Sequence, residues 1–425
     1  MTLSNVARRA LPAAVAALAL TAPVAGAAGP GYCDPARTQL DPPDVPAGGA
    51  PLLTRRGVTR RWLTVDGIRT PVLQSGPATS REAVVFVHGS PGSSQSWLDL
   101  LPRVGAMGRR AIAFDLPGYG HATKPWQPVV DFRFGGAFLE HLLRRLGVER
   151  VQLVIQDLGG VTGLQWAAAH PQRLIGAVVI DSGLLGYQHH SLAQVSRRPG
   201  VGEAFWAAID RAAWRYGMQI GQQQRPLPFA FLDQIYDDLD RPTRCTIIHV
   251  YRSADASEVN AIGAAQARVL RRRRRPALIV WGSNDPYLPP AMAQRQREPF
   301  PAATVHILDG SGHWPFADDP AGTRALVLPF IRCLPTGRRD PIRLLVRPRR
   351  VPAGVRVTLR FRARVVSEGR ARPVCGAAVR LAGRLVHTGP AGWARMAVSL
   401  GAGTHAVRAS KAGLRAARGS VSAGD

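Results

Sequence analysis

The sequence predicts an α/β chain: a doubly wound, mostly parallel sheet with a helical cap, followed by a small all-β sandwich domain. Three observations carry this. From Trp62 to Leu334, short continuous apolar runs alternate with longer helical stretches, as they do when crossover helices bury strands on both faces. Between Gly186 and Val269 the alternation stops, and aromatic residues are strewn through amphipathic stretches without a buried-strand run. After Pro352 the apolar period changes to two, the signature of half-buried strands.

The elements follow in order. Arg8 and Arg9 precede an apolar run from Ala10 to Val24, and Ala25, Gly26 and Ala27 form a small-residue cleavage site, so residues 1–27 read as a signal peptide and 28–60 as a leader. An uncleaved anchor is the alternative; the run is short for a span and is broken by Pro12 and Pro23. The mature protein is therefore expected to be secreted or attached to the cell envelope. Export places Cys33, Cys245, Cys333 and Cys375 where two disulfides persist, with the pairing open.

The core is expected over 61–185 and 270–334, with strands at Ala83–Val87, Ala111–Phe114, Val151–Ile155, Ala177–Ile180, Ala277–Trp281 and Thr304–Leu308, and helices at Phe134–Leu146 and Thr162–Ala169. Residues 186–269, with Trp206, Trp214, Tyr216, Phe229, Phe231 and Tyr236, read as a helical cap over the carboxyl ends of the strands, the edge where open parallel sheets bind ligands. The run Arg271–Arg275 reads as a solvated turn. Pro335, Gly337, Pro341, Pro348 and Pro352 mark a linker over 335–352.

Residues 353–425 form the basic domain. Val355, Val357, Leu359, Phe361, Ala363 and Val365 alternate with Arg356, Thr358, Arg360, Arg362 and Arg364, and shorter strands follow at Ala378–Leu381, Ala394–Leu400 and His405–Ala409. The whole chain carries +27, yet only Lys124 and Lys411 are lysines, so 53 of its 55 basic side chains are arginine. That skew points first to coding bias. Residues 335–425 hold 19 basic and 3 acidic side chains, a surface suited to anionic cell-wall polymers or lipid headgroups. No groove-reading motif appears, and nucleic acid is not an expected partner. Oligomeric state is not legible.

Chemistry concentrates at Gln156-Asp157-Leu158-Gly159-Gly160, where a strand turns sharply into a helix. A residue at such a tip is pushed out above the sheet. Serine is usual there; aspartate changes the chemistry, since a carboxylate attacks saturated carbon and leaves an alkyl ester on the enzyme. Asp157 is also a residue that caps helices, so a binding protein with a degenerate elbow is the non-enzyme alternative. Backbone N–H groups of Ser90, in His88-Gly89-Ser90-Pro91-Gly92, and of Leu158 are the candidate oxyanion donors. His88 reads as a residue stabilising that turn. His313, on the loop Gly310-Ser311-Gly312-His313-Trp314, is the candidate base, and Trp314 a substrate contact. Asp285 follows the preceding strand and is the expected orienting acid, with Asp181 its rival.

With HGSPG, the DLPGYGHATKP of Asp115–Pro125 and VIQDLGG, the stretch Val84–Gly183 resembles the epoxide hydrolase and haloalkane dehalogenase branch of the α/β-hydrolase superfamily; WGSNDP and GSGHW extend the likeness to about residue 330. The C-terminal segment resembles small Ig-like or carboxypeptidase-regulatory-like sandwiches. In dehalogenases a tryptophan follows the nucleophile and binds halide with an Asn or second Trp; here Leu158 and Ser90 stand at those positions. Epoxide hydrolases protonate the opening ring from cap tyrosines, one followed by arginine late in the cap. Tyr251-Arg252 lies there, and Tyr216 is a second candidate. The resemblance thus implies an epoxide hydrolase acting on a small organic molecule, with a dehalogenase or general esterase-like hydrolase as alternatives. It implies no metal and no organic cofactor.

Overall fold

The computed structural model describes residues 30–34, 57–126, 130–183, 185–219, 224–334, 341–367, 370–411 and 414–424. The expected signal peptide, most of the leader, and Pro335 and Gly337 of the linker lie outside them. The chain divides into two units, Met1–Ala325 and Leu326–Asp425. Among the described residues no helix is long and apolar enough to cross a membrane.

The first unit is built on an eight-stranded sheet: β1 (Val58–Val65), β2 (Ile68–Ser75), β3 (Glu82–Val87), β4 (Arg110–Phe114), β5 (Arg150–Gln156), β6 (Leu174–Ile180), β7 (Ala277–Gly282) and β8 (Thr304–Leu308), in the spatial order β1-β2-β4-β3-β5-β6-β7-β8. From β4 to β8 every neighbour is parallel. Val85, Phe86, Val87, Ile155, Ile180 and Val280 have essentially no exposed surface, which is why those runs are continuous rather than alternating. β8 departs from that expectation. It is the sheet's edge, and Ile307 is exposed.

The hairpin of β1 and β2 was not expected, and β1 begins inside the stretch assigned to the leader. Its turn is Asp66-Gly67, both at positive φ, the two-residue connection whose twist matches paired strands. β2 then runs antiparallel to β4, and β1 forms that edge of the sheet.

The cap consists of helices Ser191–Arg197, Val201–Ala208, Arg211–Gln219, Phe229–Asp237, Arg241–Ser253 and Ala256–Arg273. Trp206 and Trp214 anchor it fully buried, each with its indole N–H satisfied, by Ser196 Oγ and the Leu232 carbonyl respectively, both at 2.9 Å. The arginine run is not a turn: Arg271–Arg273 form the last turn of the final cap helix and Arg274 caps it in the left-handed conformation. Cations there complement the helix dipole. A disulfide joins Cys33 to Cys245 on the fifth cap helix.

In the second unit the stretch read as linker holds strands β9 (Arg343–Arg347) and β10 (Arg350–Pro352). They are followed by β11 (Arg356–Ser367), β12 (Arg370–Pro373), β13 (Ala378–Leu381), β14 (Arg384–His387), β15 (Trp393–Ser399), β16 (Gly403–Ser410) and β17 (Ala417–Gly424). One sheet runs β10-β17-β16-β13-β14; in the other β11 pairs with β12, β15 and β9. Leu359, Phe361, Ala363 and Val365 of β11 share one core with Val379, Val407 and Val421 of the opposite sheet. Val355, expected on that apolar face, precedes the strand and is exposed. Cys333 is bonded to Cys375.

Candidate active site

The elbow between β5 and the helix Leu158–Ala169 holds Asp157 at φ 48°, ψ −123°, a conformation costing about 1–3 kcal/mol for a residue with a side chain. The turn is tolerated because Gly159 lets the helix start against β3: a Cβ there would stand 2.3 Å from the Val87 carbonyl oxygen. Gly159→Ala is expected to cost about 1–3 kcal/mol of stability through overpacking. Denaturant unfolding checks this, and an unchanged midpoint would mean the elbow is free to move.

The Asp157 side chain makes no capping hydrogen bond to its helix. Its Oδ1 instead accepts the Ser90 N–H at 2.7 Å, and the nearby Leu158 N–H also helps stabilise the carboxylate's charge. Oδ2 faces His313 Nε2 at 3.5 Å. Burial acts to raise the Asp157 carboxyl, but the hydrogen bond and charge of His313, with the two N–H groups, outweigh it and hold the group below the ordinary carboxylate range. His88 holds the Ser90 turn: Nε2 accepts the Leu116 N–H at 2.9 Å, so Nδ1 carries the hydrogen and donates to the Gly89 carbonyl at 2.8 Å.

His313 sits on a loop fastened by Asp318, which accepts from Ser311 Oγ and from the Gly312 N–H. Its Nδ1 donates to Asp285 Oδ2 at 2.8 Å, while Asp285 Oδ1 accepts the N–H groups of Tyr287 and Leu288 at 2.8 and 2.9 Å. Asp285, not Asp181, is the imidazole's partner. Asp181 Oδ1 accepts the Gly282 N–H instead, and burial together with the neighbouring Asp285 charge pushes its carboxyl well up. Burial also acts to lower His313, but Asp285 and Asp157 more than reverse this and raise it well above the usual imidazole value.

The residues that bring Asp157, His313 and Asp285 together lie within residues 82–320, which match the α/β-hydrolase fold family over more than half of the chain. The chain belongs to the α/β-hydrolase family. An uncharacterised protein of Mycobacterium tuberculosis is 27% identical over 273 residues, covering 62% of this hydrolase and 78% of that protein. A haloalkane dehalogenase of Mesorhizobium japonicum is 35% identical over 140 residues, 30% of this chain and 42% of that one. Among solved structures, the haloalkane dehalogenase DatA from Agrobacterium tumefaciens superposes with a TM-score of 0.55 at 20% identity, covering 65% of this chain and 97% of its own. An epoxide hydrolase from Vigna radiata gives 0.54 at 18%, covering 66% and 99%. At such identities these likenesses speak for the fold.

In this hydrolase a narrow cavity opens onto Asp157, with about 30 Å³ of free space. Phe132, Leu158, Val161, Val250 and Leu288 make its wall apolar, and Ser90, Tyr187, His190 and Tyr251 supply the polar groups. Room of that size admits a water; an organic substrate requires cap side chains to move. Among the described residues no group of three or more His, Cys, Asp or Glu side chains is placed to hold a metal.

Tyr251 stands in the cavity. Tyr216 does not: it is 67% exposed on the helix whose buried residue is Trp214, and positions two apart do not share a helix face. Trp314 also needs correction as a substrate contact. It is buried outside the cavity lining, with its ring 4.9 Å from that of His313, where it packs against the base.

Two residues were not singled out from the sequence. Tyr187 lines the cavity with a buried hydroxyl that has no hydrogen-bond partner in the structure. His190 Nδ1 accepts the Ala193 N–H at 3.3 Å and its Nε2 lies 3.2 Å from the Tyr251 hydroxyl. Burial lowers His190 to about 4, so at neutral pH its one hydrogen is on Nε2 and is donated to the phenol oxygen. The Tyr251 proton is thereby left to point elsewhere. The signal available was Tyr187-Gln188-His189-His190, titratable groups at the point where the chain enters the cap.

Proposed function

We propose that this hydrolase is an epoxide hydrolase working through an ester on Asp157. The observation that carries the reading is the pair of phenols, Tyr187 and Tyr251, in an apolar cavity with the carboxylate. Burial raises both, and the Asp157 charge raises them further, so each is a neutral O–H donor at physiological pH. Such donors suit an alkoxide, which must be protonated as it forms. A departing halide is better held by a fixed N–H, and the cavity side chains include no indole or amide.

In the first step Asp157 Oδ2 attacks an epoxide carbon while Oδ1 stays under the Ser90 and Leu158 N–H groups. The ring C–O bond breaks, its electron pair passes to oxygen, and that oxygen takes a phenolic proton. In the second step water attacks the ester carbonyl carbon and gives a proton to His313; the oxyanion forms on Oδ1 beneath the same two donors. Collapse releases the diol, restores Asp157 and leaves the proton taken from water on His313.

Charge links the steps. In the resting site the Asp157 carboxylate helps hold the proton on His313; esterification removes that charge and lowers the imidazole, which passes its proton to the phenolate left by ring opening and is a free base when water must be activated.

The test is to incubate the protein with epoxides, haloalkanes and p-nitrophenyl esters, following diol, halide and phenolate separately. Diol formation is expected, and phenolate release alone would overturn the reading. Tyr251→Phe and Tyr187→Phe are each expected to slow epoxide opening about 10- to 100-fold, and the pair together about 10³-fold or more, within the range of general-acid catalysis. Any halide displacement should be little affected, because halide leaves unprotonated. Equal loss on both substrates would assign the tyrosines to packing.

A further inference from the structure

The second unit carries far more positive charge than its three acidic residues can balance. Its acidic residues are Asp340, Glu368 and Asp425, none of them among the described residues. On β11 the side chains of Leu359, Phe361, Ala363 and Val365 are in the core, so Arg360, Arg362 and Arg364 point outward. Register places them against their own kind: Arg364 opposite Arg343, and Arg360 between Arg347 and Arg395. Like charges directly opposite destabilise a sheet. Solvated arginines from a biased code would explain charge, but not what accompanies it.

Against these strands lies a cleft of about 770 Å³, whose lining includes Arg347, Arg349, Thr358, Arg360 and Trp393. Trp393 is 39% exposed and is not among the apolar side chains that fill the core of the same unit. The guanidinium of Arg362, its cross-strand neighbour, lies 4.9 Å from the ring centroid and fixes the indole's orientation. The opposite sheet provides an internal comparison, since Arg418, Arg408 and Arg380 form a cross-strand row there that is absent from the cleft lining.

We propose that this cleft binds an extended acidic polysaccharide, Arg347, Arg349 and Arg360 engaging its carboxylates and Trp393 the apolar face of a sugar ring. Guanidiniums grip carboxylates bidentately, and an exposed indole offers a flat apolar surface with a polar edge. A planar lipid surface would engage exposed arginines by charge without requiring a cleft. Single-stranded nucleic acid stacks successive bases on successive aromatics, and this cleft has one. The proposal is independent of the reaction at Asp157.

The experiment uses the full chain at physiological ionic strength, with polygalacturonate, neutral dextran, oligothymidylate and phosphatidylglycerol vesicles as probes. Polygalacturonate should bind most tightly and dextran not at all. The triple variant R347Q/R349Q/R360Q should weaken polygalacturonate binding about 30-fold or more, since hydrogen bonds to charged groups each contribute roughly tenfold or better. R380Q/R408Q/R418Q removes the same charge from the other sheet and should weaken it about threefold or less, and Trp393→Ala about tenfold at unchanged charge. Hydrolytic activity and circular dichroism report folding in each variant. Equal loss in the two triple variants, no effect of Trp393→Ala, or tighter binding to vesicles or oligothymidylate would overturn the proposal.

Discussion

Asp157→Asn is expected to lower kcat by about four to six orders of magnitude, the loss seen when a covalent nucleophile is removed from an otherwise intact site. The amide nearly reproduces the carboxylate's shape, and its oxygen can still accept the Ser90 and Leu158 N–H groups that meet Asp157. What disappears is the nucleophile, together with the negative charge beside His313. The fold should survive, because the Asp157 side chain makes no cap bond to the helix it precedes and its backbone is held by other bonds: its N–H to the Asp181 carbonyl at 3.1 Å and its carbonyl from Ser182 Oγ at 2.7 Å. Turnover on an epoxide and far-ultraviolet circular dichroism check the two halves. Activity within tenfold of the parent, in folded protein without the acid, would remove Asp157 from the mechanism.

Much of this site is visible in the sequence because local backbone demands fix it. The elbow needs glycine where the helix meets β3, and the aspartate, the acid loop and the histidine loop each follow the carboxyl end of a parallel strand, so their order along the chain places them on one edge of the sheet. Asp285 prevails over Asp181 for a reason spacing alone leaves open: Asp285 Oδ2 lies against His313 Nδ1 while its turn uses the other oxygen, whereas Asp181 accepts the Gly282 N–H and its second oxygen is buried without a hydrogen-bond partner. The cap is less legible. Its helices pack by amphipathic faces, and a tyrosine's rotation about the helix axis decides whether it meets the cavity or water, which separates Tyr251 from Tyr216. Tyr187 and His190 belong to the entry into the cap, where no period applies and only tertiary contact gives them meaning. The β1–β2 hairpin was missed for a different reason. Its Asp-Gly turn was present, but β1 alternates and is half exposed, unlike the buried runs that marked the core.

His313→Gln should separate the two steps. Ring opening needs the Asp157 carboxylate and a phenolic proton, neither of which the variant lacks; loss of the imidazole lets the carboxyl rise, since His313 helps hold it low, but an ordinary aspartate remains ionised at neutral pH. Ester hydrolysis needs a base, and Gln offers none. One equivalent of epoxide should therefore be consumed per enzyme, after which turnover falls by about 10³-fold or more. Mass spectrometry of the peptide containing Asp157 then distinguishes the chemistries, because an opened epoxide adds its whole mass, whereas a haloalkane adds its mass less hydrogen halide. Stability provides a second readout. His313 is raised in the folded protein, so its contribution is complete below the unfolded imidazole value of about 6.5 and disappears as pH rises through the folded value. The gap in unfolding free energy between parent and variant should be widest at mildly acidic pH and close on the alkaline side. Folded variant protein that turns over at the parent rate, or that stalls without an adduct, would exclude the two-step ester scheme.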